Sequence, residues 1–238
     1  MRALRIGLVV LIVLAGLFVA ADRVAVNLAE DEVAKKLKTE LEVPESGDAS
    51  VSIEGFPFLT QVASKELDEV KAELNGVTAK AAGREVRLST IDLRASNVKL
   101  SGNYSSAVAA DATGTVHISY ADLSKAADDG VRIGWGGKDK SGKGQVKVTA
   151  GVVLPLLNRT IERSVYSTVS VTGGNAVRLH ADEVPGGGIP GLEGAIREKI
   201  DFTRKIDKLP SGLKLEKVEA TKAGVDLGMS GTDVHLAG

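Results

Sequence analysis

The chain has 238 residues, no cysteine, 3% aromatic residues and a formal net charge of −1. Absent cysteine excludes disulfides, thiol catalysis and thiolate metal sites. The near-balanced charge argues against a nucleic-acid partner, which would call for a basic excess.

At the N-terminus Arg2 and Arg5 precede sixteen uncharged residues, Ile6 to Ala21. A basic start, an apolar run and small residues at Val19 and Ala21 fit a secretory signal cleaved after Ala21. The run is slightly short for a span of roughly 17–25 residues, so an uncleaved N-in anchor is the alternative. Both place the rest of the chain outside the cytoplasm. Without residues 1–21 the balance is 28 basic against 31 acidic residues. The expected organisation is a signal or anchor at 1–21 and one domain at 22–238.

Residues 22–42 read as an amphipathic helix. Val26, Ala29, Val33, Leu37 and Leu41 recur every three or four positions, with Glu30, Glu32, Lys35, Lys36 and Lys38 filling the rest, and Pro44 ends the pattern. From residue 49 the period becomes two: Val51 and Ile53 alternate with polar residues. There follows Ile53-Glu54-Gly55-Phe56-Pro57-Phe58-Leu59-Thr60-Gln61, which holds two of the four phenylalanines of the chain. Pro57 pushes Phe56 into the extended region, and i and i+2 of an extended chain face the same side. Phe56 and Phe58 are therefore expected to form one two-ring apolar surface.

Alternation continues through Leu67–Leu74 with a slip near Leu67, then through Val86–Leu88, Ile91–Ala95 and Val98–Leu100 with phase shifts that predict bulges. Val116 and Ile118 lead into a short helix, Tyr120 to Ala127, with Asp122 as its expected cap. Val131, Ile133 and Trp135 form a strand. Gly136 to Gly144 is a hairpin loop, and Val146 to Val152 run out of it. Two further strands lie around Val165–Val171 and Ala176–Val184. After the break at 185–191, Leu192, Ala195, Ile196, Lys199, Ile200, Thr203 and Ile206 suggest a second amphipathic helix. Leu213 to Ala220 and Val225 to Leu227 close the chain as a hairpin. Strands between two amphipathic helices give an α+β class: an antiparallel sheet with long helices laid on it.

Chemistry is sparse. His117, His180 and His235 lie on separate strands without ligand spacing. Gly137–Gly144 mimics a phosphate loop, but Gly144 stands where Ser or Thr would bind magnesium, and a strand follows rather than a helix. No G-x-S-x-G occurs, and nothing nominates a triad or a carboxylate pair. The sequons at Asn103 and Asn158 carry little weight.

In order, an export segment, an amphipathic helix, Gly55-Phe56-Pro57-Phe58-Leu59-Thr60-Gln61, Ala121-Asp122-Leu123, Leu209-Pro210-Ser211-Gly212-Leu213 and a Gly224-Val225 hairpin resemble the LmeA-like phospholipid-binding proteins of bacterial cell envelopes. The resemblance implies an exported, non-enzymatic lipid binder. It also implies a fold similar to the tubular lipid-binding domains of bactericidal/permeability-increasing proteins, a highly curved antiparallel sheet wrapping long helices. Phospholipid and a membrane surface are the implied partners, with envelope biosynthesis enzymes as further ones, and no cofactor or metal is expected. The residues nominated for lipid contact are Val33, Leu37, Phe56, Pro57, Phe58, Leu59, Leu192, Ile196 and Ile200. An envelope scaffold with a dry core and an envelope hydrolase are the competing functions.

Overall fold

The computed structural model describes residues 2–81, 84–154, 159–183, 201–206 and 209–237. The two segments expected at the N-terminus form one uninterrupted helix, α1 (Arg2–Glu40). No proline stands between Ile6 and Glu40 to break the backbone ladder. Its first twenty residues project free of the rest of the protein, and only the part beyond Ala21 packs.

After α1 come β1 (Asp48–Glu54), α2 (Phe58–Ser64), β2 (Glu66–Ala81), β3 (Arg84–Ser101), β4 (Ser106–Ser119) and α3 (Tyr120–Ala126). They are followed by β5 (Arg132–Lys138), β6 (Gly144–Leu154), β7 (Arg159–Thr172), β8 (Ala176–Glu183), β9 (Phe202–Lys205), β10 (Leu213–Ala220) and β11 (Gly224–Ala237). One sheet has six strands in the order β1-β2-β3-β4-β11-β10, and the other runs β5-β6-β7-β8-β9. Every strand pair among the described residues is antiparallel. The protein is thus α+β with a long N-terminal helix, as its periodicities predict.

The last turn of the expected second helix is corrected. Phe202–Lys205 is a strand paired with β8, Leu179 opposite Phe202. A short strand covers an otherwise open sheet edge there, and that demand overrides the weak helical spacing of Thr203 and Ile206. Leu192, Ile196 and Ile200 lie outside the described residues.

The two sheets share a core of aliphatic side chains: Val116 and Ile118 from β4, Val146 and Val148 from β6, Val165 from β7, and Leu215 and Val218 from β10. Helix α3 covers one end of it with Tyr120 and Leu123. Ser119, not Asp122, is the cap of α3. Its hydroxyl accepts from the Asp122 N–H at 3.1 Å, and its own O–H donates back to the Asp122 carboxylate at 2.7 Å. The Tyr120 hydroxyl donates to the Thr221 carbonyl at 2.7 Å, and burial together with the Asp226 charge pushes its pKa up to about 12.

A second core lies where α1 and α2 meet the six-stranded sheet. It holds Val26, Phe58, Leu67, Ala95, Val98, Ala109, Ala112 and Val234. Residues three apart in neighbouring strands, Ala95 with Val98 and Ala109 with Ala112, are buried together. Register is kept across this row (Ser96 opposite Asp111, Val98 opposite Ala109), while Asn97 and Asp233 beside it take left-handed backbone, each at φ 51. The slip in alternation near Leu67 is the sequence trace of the same row.

Candidate lipid-contact site beside the first helix

The packed half of α1 runs antiparallel to β1, held by one polar contact after another. The Asp22 carboxylate accepts from the Leu59 N–H at 2.8 Å, and Glu30 accepts from the Ile53 N–H at 2.7 Å. Near the helix end the Lys38 ammonium donates to Asp48 at 2.6 Å. Glu30 thereby satisfies a backbone donor on an edge strand that no neighbouring strand pairs.

Asp22 is fully buried although it directly follows the apolar run. Its second oxygen receives the Arg23 guanidinium at 2.6 Å. Burial pushes its carboxyl up, but Arg23 and the N–H groups of Leu59 and Phe58 outweigh this and hold it below its ordinary 3.8. Helix α2 starts at Pro57 (φ −78, ψ 139), which offers no side-chain cap. Asp22 does the work of that cap from another helix.

Gly55, Pro57 and Gln61 each have a separate structural role in their run. Gly55 sits at φ 100, and a Cβ there would come within 2.5 Å of the Gln61 amide and also strike the Asp68 carboxylate. Pro57 follows a cis peptide bond and opens α2. The Gln61 side chain is buried; it donates to the Glu54 carbonyl at 3.3 Å and accepts from the Asp68 N–H at 2.8 Å. It therefore ties α2 to β1 and β2. The Leu209–Leu213 run is another tight turn: Gly212 lies at φ 93, and its hypothetical Cβ would sit 2.8 Å from the Thr232 carbonyl.

The expected two-ring surface is not formed. Phe58 is 7% exposed and belongs to the core under α2, whereas Phe56 is 58% exposed and lies against the Arg23 guanidinium, 5.2 Å from the ring centre. Same-side facing requires an extended chain through both residues, and Phe58 already begins a helix. Leu59 is half-buried against the same core.

The stripe on α1 changes along its length. Val26 is 4% exposed and Ala29 is partly buried in the second core, but Val33, on the same helical face, is 40% exposed and Leu37 is half-buried. The protein covers the stripe at its start and leaves it open further on. Val24 and Leu28, on the opposite face, are exposed as well.

Polar chemistry elsewhere is that of solvated surface. A shallow depression of about 380 Å³ on the outer face of the six-stranded sheet is lined by Ser50, Lys71, Glu73, Asp92, Arg94 and Thr113. Lys71 links Glu54 and Glu69 at 2.8 and 3.1 Å, and Arg94 reaches Glu69 at 3.2 Å. His117 pairs with Asp226 at 2.5 Å and His180 with Asp201 at 3.0 Å, on separate strands. Among the described residues no three His, Cys, Asp or Glu side chains converge as metal ligands. The loop after β5 is an Asx-type turn in which Asp139 accepts from the N–H groups of Ser141 and Lys143 at 2.8 and 2.9 Å. It leads into β6, not a helix, so it is no phosphate loop.

Sequence reasoning nominated Phe56 to Leu59 and the α1 stripe, but missed Asp22 as the residue that joins them. The available signal was a lone acid abutting an apolar run, which has to find a buried partner or stay in water. With this geometry in place, the comparison with known families is direct: the chain belongs to the LmeA-like phospholipid-binding family, whose family model matches residues 20–230. The match takes in Asp22, the Gly55–Gln61 run, Ala121–Leu123 and Leu209–Leu213. No curated protein and no solved structure matches the chain.

Proposed function

We propose that this LmeA-like protein holds a phospholipid outside the cytoplasm, as a carrier or accessory factor of the cell envelope. Residues 1–21 export or tether it, and residues 22–238 act as one lipid-binding domain of tubular type. The observation that carries the reading is the half-covered stripe of α1. Val33 stays 40% exposed on the face that Val26 buries, so the apolar stripe runs on past its cover and leaves a surface that an acyl chain can complete.

Acyl chains lie along this open part of the stripe, between α1 and the sheet, with Leu37 beside them and Phe56–Leu59 at the end of the groove. Each methylene removed from water contributes about 0.8 kcal/mol, so a single chain supplies ample affinity without any catalytic group. Leu192, Ile196 and Ile200 are the further candidates for lining the groove. The headgroup stays at the rim, where polar groups remain hydrated.

Native mass spectrometry of the membrane-extracted full chain, with extraction and identification of bound lipid, tests this. A phospholipid near one per chain supports it. A protein that stays lipid-free after incubation with phospholipid vesicles overturns it and favours a dry envelope scaffold. The intact mass reads cleavage after Ala21 in the same run.

A further inference from the structure

We infer that the foot of the domain, the part beside Asp22 where α1 leaves it, is a seat for the headgroup layer of a bilayer, made by two ring–cation pairs: Phe56 with Arg23 and Tyr104 with Lys65. The inference rests on residues 1–21 remaining as a tether, and not on lipid being held inside the domain.

Four observations converge on it. First, α1 carries a strongly apolar stretch, with a mean hydropathy of 2.7, that suits a bilayer interior, and it continues without a break into the domain. Second, Asp22 clamps the helix to α2 one residue after the apolar run ends, so the domain cannot swing away from that level. Third, the sixteen residues Ile6–Ala21 reach roughly 24 Å at 1.5 Å per residue, short of a hydrocarbon core of about 30 Å. A short span draws its flanking residues down into the interface.

Fourth, the residues drawn down are those that suit an interface. Phe56 and Tyr104 are both exposed, Phe56 just before α2 and Tyr104 against its last turn. Arg23 lies 5.2 Å from the Phe56 ring centre and Lys65 lies 5.9 Å from that of Tyr104. Rings at the headgroup level with cations beside them match anionic headgroups above and acyl chains below. Tyr104 is held in place at some cost. It stands at φ 68 in the turn between β3 and β4, a conformation that a bulky residue seldom adopts. Its hydroxyl donates to the Val62 carbonyl at 3.3 Å, which fixes the ring against α2.

The absence of cysteine permits a clean test by single spin labels on the full chain in phosphatidylcholine/phosphatidylglycerol vesicles. Ser101→Cys places a label beside the Tyr104 turn with both rings intact. Lys140→Cys places one on the loop between β5 and β6; Gly144 at the end of that loop lies against Ala220, level with Ile118 at the far end of β4, whose fourteen residues span roughly 45 Å. The expected result is that the Ser101→Cys label collides with oxygen in the lipid phase while the Lys140→Cys label collides with aqueous nickel chelate. Adding Phe56→Ser and Tyr104→Ser should shift the Ser101→Cys label toward water. An aqueous signal at both positions, or failure of the protein to float with the vesicles, overturns the seat. So does a lipid-phase signal at Ser101→Cys that the double substitution leaves unmoved. None of these readouts depends on whether lipid co-purifies.

Discussion

The Asp22 carboxylate and the Leu59 N–H, separated by 37 residues in sequence, meet at 2.8 Å and join the end of the apolar run to the first turn of α2. Asp22 supplies to α2 what Pro57 cannot. Asp22→Ala leaves the donors of Leu59 and Phe58 without their acceptor and should lower the melting temperature, while Asp22→Asn, which still offers an oxygen, should fall between it and the wild type. Thermal unfolding of the three proteins checks the order. Equal melting temperatures for Asp22→Ala and the wild type would show that the contact does not hold the helix.

The same carboxylate predicts an acid response. Its folded pKa lies below its ordinary 3.8, so its contribution to stability is fully present above that value. As pH falls through the lowered folded pKa, the carboxylate protonates and the contribution is lost. Between pH 5 and pH 7 Asp22 should therefore add stability without adding any pH dependence, and Asp22→Asn should flatten part of the decline below pH 3.8. Denaturant unfolding of both proteins across this range measures the difference.

Gly55→Ala tests the backbone of the same corner. At φ 100 any side chain is strained, and here its Cβ would also push the Gln61 amide and the Asp68 carboxylate apart. The cost should exceed about 1 kcal/mol, since an Ala forced to positive φ loses more than the entropy it saves. A chemical melt that places the variant within error of the wild type would contradict this geometry.

Much of the architecture was legible because burial writes a period into sequence. Val51–Ile53 and Val146–Val152 alternate as half-buried strands must, and the hairpin at Gly224 announces itself by its turn residues. Other features are not encoded locally. The division of labour between Phe56 and Phe58 depends on where α2 begins, one residue after Pro57. Phe202–Lys205 becomes a strand because β8 offers it an edge. The pairing of Asp22 with Leu59, and of Arg23 with Phe56, arises only when α1 lies antiparallel to β1; no spacing in the chain records it.

Phe58 and Phe56 should accordingly respond in opposite ways. Phe58→Ala empties a core position touching α1 and α2 and should cost about 3–5 kcal/mol. Phe56→Ala should change stability by no more than roughly 0.5 kcal/mol, because the ring is exposed. The Ser101→Cys label should rank membrane contact differently, with folded Phe56→Ala shifting it toward water more than Lys138→Ala, whose exposed side chain lies on β5, away from the foot. If Phe56→Ala unfolds as readily as Phe58→Ala, the ring is a core element after all.

The open stretch of α1 gives the most direct test of the lipid groove. Val33 stands on the face that Val26 buries, yet it is 40% exposed, so an aspartate there can be hydrated in the lipid-free protein and should leave its melting temperature nearly unchanged. In the lipid-bound protein the same carboxylate would have to be desolvated against an acyl chain, which it resists strongly. Val33→Asp should therefore lower the lipid retained per chain several-fold. Lys35→Asp, on the opposite side of the helix, changes the charge in the same direction, and should leave retention intact. Lipid extraction from equal amounts of the two folded variants decides the matter: equal retention would move the acyl chains off this face of the helix.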